Sequence, residues 1–180
     1  MSKVTKELSA VEVGSVFEVA GMEFIKFPEV MGQTPVVSKD TVFDSEFGKD
    51  NDFRSSTVLN RLNAEVLPKI IEAVGEGNVC EFETNLTTLE GLKPYGTIMS
   101  KISLPTLDFY REDVEIFDKH KLDEWWWLAT PESAKPHDNP YWTLCVSPSG
   151  FISFDNYIHF SCGVRPFLYF VSSISVSCEE

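Results

Sequence analysis

From Tyr141 to Ser177 the chain runs for 37 residues with only two charged side chains, Asp155 and Arg165. The molecule as a whole is strongly charged, with 28 Asp and Glu against 15 Lys and Arg and a net charge of −13. A neutral segment of that length has two physical outlets. It is buried in a core, or it presents an uncharged aromatic face to something else. Strand alternation separates the two within FISFDNYIHF. On an unbroken strand Phe151, Ser153, Asp155, Tyr157 and His159 share one face, and Ile152, Phe154, Asn156, Ile158 and Phe160 share the other. The second set is mostly apolar and suits a core. The first mixes rings with polar tips, as binding surfaces do. With Tyr141 and Trp142 it makes up the candidate ligand-binding face.

Just upstream lies the run WWWLATP, residues 125–131. Strand geometry puts Trp125 and Trp127 on one face and Trp126 on the other, so the three rings cannot form one platform. Most of their area is expected in the core, packed on the strand predicted at 164–170. Arg165 is the lone cation of the neutral stretch. It is expected to pin the last strand, by pairing with a carboxylate or by stacking on a Trp. With 14 Phe, 5 Tyr and 4 Trp in 180 residues, rings supply much of the interior.

The acidic balance repels phosphate backbones and excludes nucleic acid as a partner. No apolar run reaches the length of a membrane span, and the N-terminus has no signal-type apolar segment. The expectation is a protein made in the cytoplasm without a signal peptide and not inserted in a membrane. The four cysteines, Cys80, Cys145, Cys162 and Cys178, show no C-x-x-C spacing. They are expected to be free, buried thiols and not a zinc site.

Local signals give the elements. Residues 15–27 read as a hairpin about Ala20-Gly21. Less regular strands follow at 35–37 and 41–43. Ser55 and Ser56 are cap candidates for a helix with Val58, Leu59, Leu62 and Val66 on one face, continuing past Pro68 to Gly75. A strand is predicted at 79–84, irregular chain at 91–103, and a second helix from Thr106 to about Phe117. Strands follow at 142–146, 151–154 and 164–170. The sum is one α+β domain over 12–177, with two helices, a mainly antiparallel C-terminal sheet and a flexible segment at 1–11.

Catalytic signatures are missing: there is no G-x-S-x-G, P-loop, G-x-G-x-x-G or H-E-x-x-H. His159 and Cys162 are close in sequence, but odd spacing on a strand points them apart. The acidic loop with Asp44, Glu46, Asp50 and Asp52 has hard oxygens for Ca²⁺, though not the spacing of an EF-hand. Asp138 and Asn139 are a second such candidate. No metal or other cofactor is expected beyond this weak Ca²⁺ option.

Several segments taken together carry a resemblance. WWWLATP followed by GVRPFLYF (163–170) resembles an uncharacterised domain family of Firmicutes and their phages, with WWLRSP- or WWLATP-type boxes and a terminal GVRP-hydrophobic box. NDFRSSTVLNRLNAEVL (51–67), YGTIMSKISLPTLDFYRE (95–112) and CVSPSGFI (145–152) fit in order. The signature residues are Trp125, Trp126, Trp127, Gly163, Arg165 and Pro166. That family is similar to the C-type-lectin-like group, which includes formylglycine-generating-type domains. The resemblance implies a C-type-lectin-like fold and a non-enzymatic recognition or display module, a phage or prophage virion component. Its partners would be a protein or glycan ligand on a cell surface, other virion proteins and further copies of the chain. Ala129 stands where many members have Arg, and no calcium-dependent sugar motif is present. The composition of 151–162 also matches a face diversified by mutation of adenines in Asn codons. Two alternatives stay open: an architectural virion protein whose aromatic face joins subunits, and an enzyme of formylglycine-generating-like fold, although Cys162 lacks a partner cysteine at a matching position.

Overall fold

Two short turns organise the N-terminal third. In the computed structural model, which describes residues 3–137 and 140–179 and, among these, not the side chains of 154–156, Ala20 and Gly21 have φ of 55° and 73°, and Met31 and Gly32 have 52° and 78°. Paired positive φ values define the hairpin turn whose twist matches that of its strands, and they explain why glycine holds the second place. The strands so joined follow β1 (Lys3–Glu7) and are β2 (Val16–Val19), β3 (Met22–Lys26) and β4 (Gln33–Ser38). A short β5 (Phe43–Ser45) comes next.

The first helical segment begins where predicted, with Ser56 Oγ accepting the Leu59 N–H at 3.0 Å. It runs as α1 (Thr57–Arg61), a π-helical turn (Leu62–Val66) and α2 (Leu67–Val74). The wide turn has a cause in the sequence. Pro68 has no N–H, and its ring displaces the carbonyl four residues earlier, so the ladder slips and Leu67 N–H reaches back to Leu62 O. Val58, Leu59, Leu62, Val66 and Ile70 stay on one buried stripe. After β6 (Val79–Cys80), β7 (Phe82–Asn85) and β8 (Thr97–Ser100), Thr106 Oγ1 caps the second segment through Phe109 N–H at 3.2 Å. The single helix predicted there is two, α3 (Leu107–Glu112) and α4 (Val114–Lys119), broken at Asp113. Asp and β-branched Val114 are poor interior helix formers side by side.

The remaining strands are β9 (Trp126–Pro131), β10 (Trp142–Val146), β11 (Ile152–Tyr157), β12 (Cys162–Val164), β13 (Phe167–Val171) and β14 (Ser175–Glu179). They complete a seven-stranded sheet, β1-β14-β2-β3-β4-β13-β6, a five-stranded sheet, β11-β10-β9-β12-β5, and the two-stranded β7-β8. Pairing is antiparallel except where β12 meets β9 at Gly163 and Trp126. The fold is α+β with few helices and mostly antiparallel sheet.

Four expectations need correction. The segment 1–11 is not loose where it is described: β1 pairs with β14 from Lys3↔Glu179 to Glu7↔Ser175, and Leu8 is buried. The sheet is not confined to the C-terminal part, because β13 and β14 insert among the N-terminal strands. The strand predicted over 164–170 is two, since Pro166 cannot donate to a ladder and the chain passes there from the five-stranded sheet to the seven-stranded one. Strand β8 lies in the stretch expected to be irregular. Its Thr97–Ser100 edge is fixed by pairing with β7.

Alternate residues of both large sheets feed two cores. Phe17, Phe24, Phe47, Phe53, Trp127 and Phe170 belong to one, and Phe27, Phe117, Trp126 and Phe167 to the other. Strand β9 is buried on both faces along its whole length. This is the pattern of a central strand.

Candidate functional site

The two boxes of the sequence meet in space. Trp127 is fully buried, with Nε1 donating to Ser45 O at 2.8 Å and its ring edge-on to Phe47 at 5.5 Å. Trp126 faces the other core, stacked with Phe117 at 5.7 Å. Trp125 does not share Trp127's setting. It precedes β9 and stays 43% exposed, while its carbonyl accepts the Gly163 N–H at 2.8 Å. The unbroken parity expected across the three rings fails because the strand begins only at Trp126.

Gly163 is there for close approach. A Cβ on it would sit 2.3 Å from Thr41 Cγ2 and 3.2 Å from Trp125 O. Gly163→Ala is therefore expected to lower stability by about 1–3 kcal/mol, measured as a shift of the urea midpoint at unchanged slope. Arg165 is buried, with its guanidinium 4.8 Å over the Trp126 ring and 5.7 Å from that of Phe117, and Nε donating to Ser38 O at 2.9 Å. Of the two roles open to it, stacking on a Trp is the one realised. Burial pulls its pKa down to about 10, and Asp40 and Tyr110 partly oppose this. Pro166 O accepts the Ser38 N–H at 3.0 Å, so Arg165 and Pro166 together tie the crossover to the end of β4.

The predicted ligand-binding residues divide into two groups. Tyr157 is a hub, with ring centroids 6.4 Å from Tyr141, 5.7 Å from Trp142, 4.9 Å from His159 and 5.9 Å from Phe160. Tyr141 is 48% exposed and Phe160 61%, so the cluster faces solvent. Phe151, at 74% exposure, is at the opposite end of the β10–β11 hairpin, beside the Ser147–Gly150 turn. Ser153, opposite Cys145, is also on the turn side. The side chain of Asp155 lies outside the described residues.

Phe160, assigned to the core by parity, belongs instead to the exposed group. The register between β10 and β11 shifts from Thr143↔Asn156 to Cys145↔Ser153, a bulge with one extra residue in β11. Such a bulge slips the alternation by one position. The chain has also left β11 for a turn before Phe160.

Next to this cluster is a cleft of about 400 Å³ lined by Lys49, Asp50, Pro94, Tyr95, Pro140 and Tyr141, among others. Tyr95 donates to Asn51 Oδ1 at 2.7 Å, and Arg54 lies 5.5 Å over its ring. Burial pushes the Tyr95 phenol up, with Asp50 and Asp52 adding to the effect, so it stays a donor. A second cleft of about 400 Å³ is lined by Phe43, Asp40, Glu65, Val66 and Lys69, and includes part of the π-helical turn. Two of its carboxylates are already paired, Glu23 with Lys39 at 2.7 Å and Glu65 with Arg61 at 2.8 Å. The first cleft has the stronger claim because it opens beside the solvent-facing Tyr157 cluster. Tyr95 and the wall of the cleft around it escaped the sequence reading. Pro94 and Tyr95 lie in the stretch predicted to be irregular, and no local pattern links that stretch to Tyr141.

The acidic loop does not converge on a cation. Asp52 caps and chelates Arg54, at 2.6 Å to Nη2, Asp50 Oδ1 accepts the Asp52 N–H, and Glu46 sits 3.7 Å from His159. Among the described residues no group of three or more His, Cys, Asp or Glu is placed to hold a metal ion. Asp138 and Asn139 lie outside the described residues. Cys162 does have a cysteine neighbour: its Sγ is 3.7 Å from that of Cys145, both thiols free and buried. Burial, then the contact with Cys162, pushes the Cys145 thiol far above its ordinary value. This disfavours the nucleophilic thiolate. His159 is exposed and lies 3.7 Å from Glu46.

Glu90 joins two loops, accepting from Ser133 Oγ and lying 2.8 Å from His137 Nδ1. These two contacts hold its carboxyl below the usual range. The serine bonds to the carboxylate and not to the imidazole, so the trio lacks the order of a nucleophile–base relay. Comparison with family models, with curated proteins and with solved structures returns no match.

Proposed function

We propose that the chain is a non-enzymatic recognition and display module of C-type-lectin-like type, carried on a phage or prophage virion, and that it binds a protein or glycan on a cell surface. The observation that carries this reading is the solvent-facing ring cluster of Tyr141, Trp142, Tyr157, His159 and Phe160, set beside a cleft of about 400 Å³. Rings with polar tips give large contact area at little entropic cost. The pairing of the WWWLATP and GVRPFLYF boxes at Gly163 and Trp126 supports the fold assignment, because the segments that carry the resemblance form one structural unit. Among the described residues, no helix is long and apolar enough to cross a membrane.

The test is binding of labelled protein to a glycan array and to intact Gram-positive cells. Tyr157→Ala is expected to weaken binding by about tenfold or more, as loss of a central aromatic anchor does, with little change in melting temperature. Binding unaltered in Tyr157→Ala and in Phe160→Ser removes the proposal. If the same variants instead dissociate an oligomer in light scattering, the cluster is a subunit interface, which is the architectural reading.

A further inference from the structure

The cleft beside the Tyr157 cluster is built on a buried amide. Asn51 is wholly inside. Its N–H donates to Pro140 O at 2.7 Å, and its Nδ2 donates to Ser133 O at 2.8 Å and Trp142 O at 2.7 Å. Its Oδ1 accepts from the Tyr95 hydroxyl at 2.7 Å. Two walls of the cleft, Tyr95 and Pro140, are thereby fixed before any ligand arrives. With its proton committed to Asn51, the Tyr95 oxygen keeps the capacity to accept from a ligand hydroxyl.

The cleft also reverses the sign of the molecule's charge. The chain carries −13 overall, yet the charged side chains that line this cleft are Lys49, Lys135 and Asp50. Seven of the fifteen Lys and Arg pair with carboxylates, and Lys26 and Arg165 are buried on backbone carbonyls. Lys49 and Lys135 belong to neither group. Both are exposed, and no ion pair holds either of them among the described residues. Arg54, over the Tyr95 ring, is already neutralised by Asp52. Two ammonium groups against one carboxylate therefore set the local potential, which attracts an anion in an otherwise acidic protein.

We propose that this cleft takes an acidic sugar unit, a pyranose bearing a carboxylate or a phosphate group. The charge would lie between Lys49 and Lys135, and the ring against Tyr95 and Tyr141. A volume of about 400 Å³ falls in the range of small-ligand sites, about 300–1,000 Å³. Tyrosine presents a flat apolar face with a polar tip, which suits the mixed C–H and hydroxyl faces of a sugar. Tyr141 belongs both to the cleft and to the Tyr157 cluster, so a glycan seated here continues onto that cluster. This assignment rests on the recognition function proposed above and gives its ligand a charge.

The test titrates the protein with glucuronate, glucose-6-phosphate, glucose and inorganic phosphate, followed by amide shifts in NMR. Glucuronate or glucose-6-phosphate is expected to move Lys49, Asp50, Tyr95 and Tyr141, and the tighter of the two identifies the charged group. Glucose and inorganic phosphate each make only one of the two kinds of contact and are expected to bind roughly tenfold more weakly. Lys49→Gln combined with Lys135→Gln is expected to weaken the acidic sugar by about tenfold at unchanged melting temperature. Asp50→Asn keeps the acceptor for the Asp52 N–H and is expected to tighten binding. Opposite signs from neighbouring side chains are the signature of a site that reads charge. The reverse pair of signs means a cationic ligand and overturns the proposal. So does glucose binding as tightly as the acidic sugars, or no shift at the cleft with either acidic sugar. Failure of the recognition reading looks different. Cell binding lost in Tyr157→Ala but intact in the double lysine variant overturns the acidic ligand alone and leaves that reading in place.

Discussion

Trp127→Ala is expected to lower the unfolding free energy by about 3–5 kcal/mol, the range for truncating a fully buried large aromatic. The indole is wholly inside, edge-on to Phe47, and its N–H is bonded to Ser45 O, the carbonyl of a buried residue. Alanine leaves a cavity and removes the indole hydrogen bond to Ser45 O, and these add in the same direction. Against a total stability of about 5–15 kcal/mol for a domain, that loss brings the chain close to the threshold for folding. Two companions apportion it. Trp127→Phe keeps most of the ring volume and loses the N–H, for an expected cost of about 1–2 kcal/mol. Trp125→Ala removes a ring that is nearly half in water and should stay within about 1 kcal/mol. Urea denaturation of the three variants checks the ranking. If Trp125→Ala costs as much as Trp127→Ala, the division of the tryptophan run into core and surface is wrong.

Legibility in the sequence tracked the distance over which each structural cause acts. The Ala20-Gly21 turn, the Ser56 and Thr106 caps and the apolar stripe from Val58 to Ile70 depend on residues within one or two turns of each other, and they appear where the pattern places them. The pairing of β1 with β14 joins residues at opposite ends of the chain. Short strands such as Ser175–Glu179 carry too few positions for alternation to announce them. Pro166 is a visible strand breaker. That it moves the chain from one sheet to another depends on partners, Phe43–Ser45 on one side and Gln33–Ser38 on the other, that no local window contains.

The candidate site was legible to the same degree. Scarcity of charge marks the segment, and three of its seven candidate residues, Tyr141, Trp142 and His159, gather around a fourth, Tyr157. The bulge opposite Thr143 and Cys145 then slipped the alternation on which the rest of the assignment relied. Phe151 went to the far end of the hairpin and Phe160 came out of the core. A bulge is set by the match between two strands, so reading one strand alone cannot place it.

Lys26→Met is the second variant expected to have a large effect, and it tests a residue whose charge gives no hint of burial. The side chain is almost entirely inside, and Nζ donates to Leu8 O at 2.8 Å, Ser9 O at 3.1 Å and Val11 O at 2.7 Å. One ammonium thus saturates its three donors on the carbonyls around a single 3₁₀ turn, Leu8–Ala10. Methionine preserves the length and volume of the stem, so the experiment removes the charge and the donors with little change in packing. Leu8 O retains the Val11 N–H. Val11 O, in a buried residue, keeps no hydrogen bond among the described residues, and desolvating an unpaired carbonyl costs about 1–3 kcal/mol. Loss of the other two charge-assisted bonds adds to this, while relief from burying an ammonium subtracts. The balance is an expected destabilisation of about 2–3 kcal/mol. It should be local before it is global. The turn joins β1 to the rest of the sheet, and Leu8 and Ser9 donate across to Ile174 and Ser172. Amide exchange at Leu8, Ser9 and along β1 should therefore accelerate more than exchange in β9, whose ladder lies in the other sheet. Equal acceleration in both would mean that Lys26 supports the molecule as a whole and not this turn. No change in either would mean that the three carbonyls are satisfied without it.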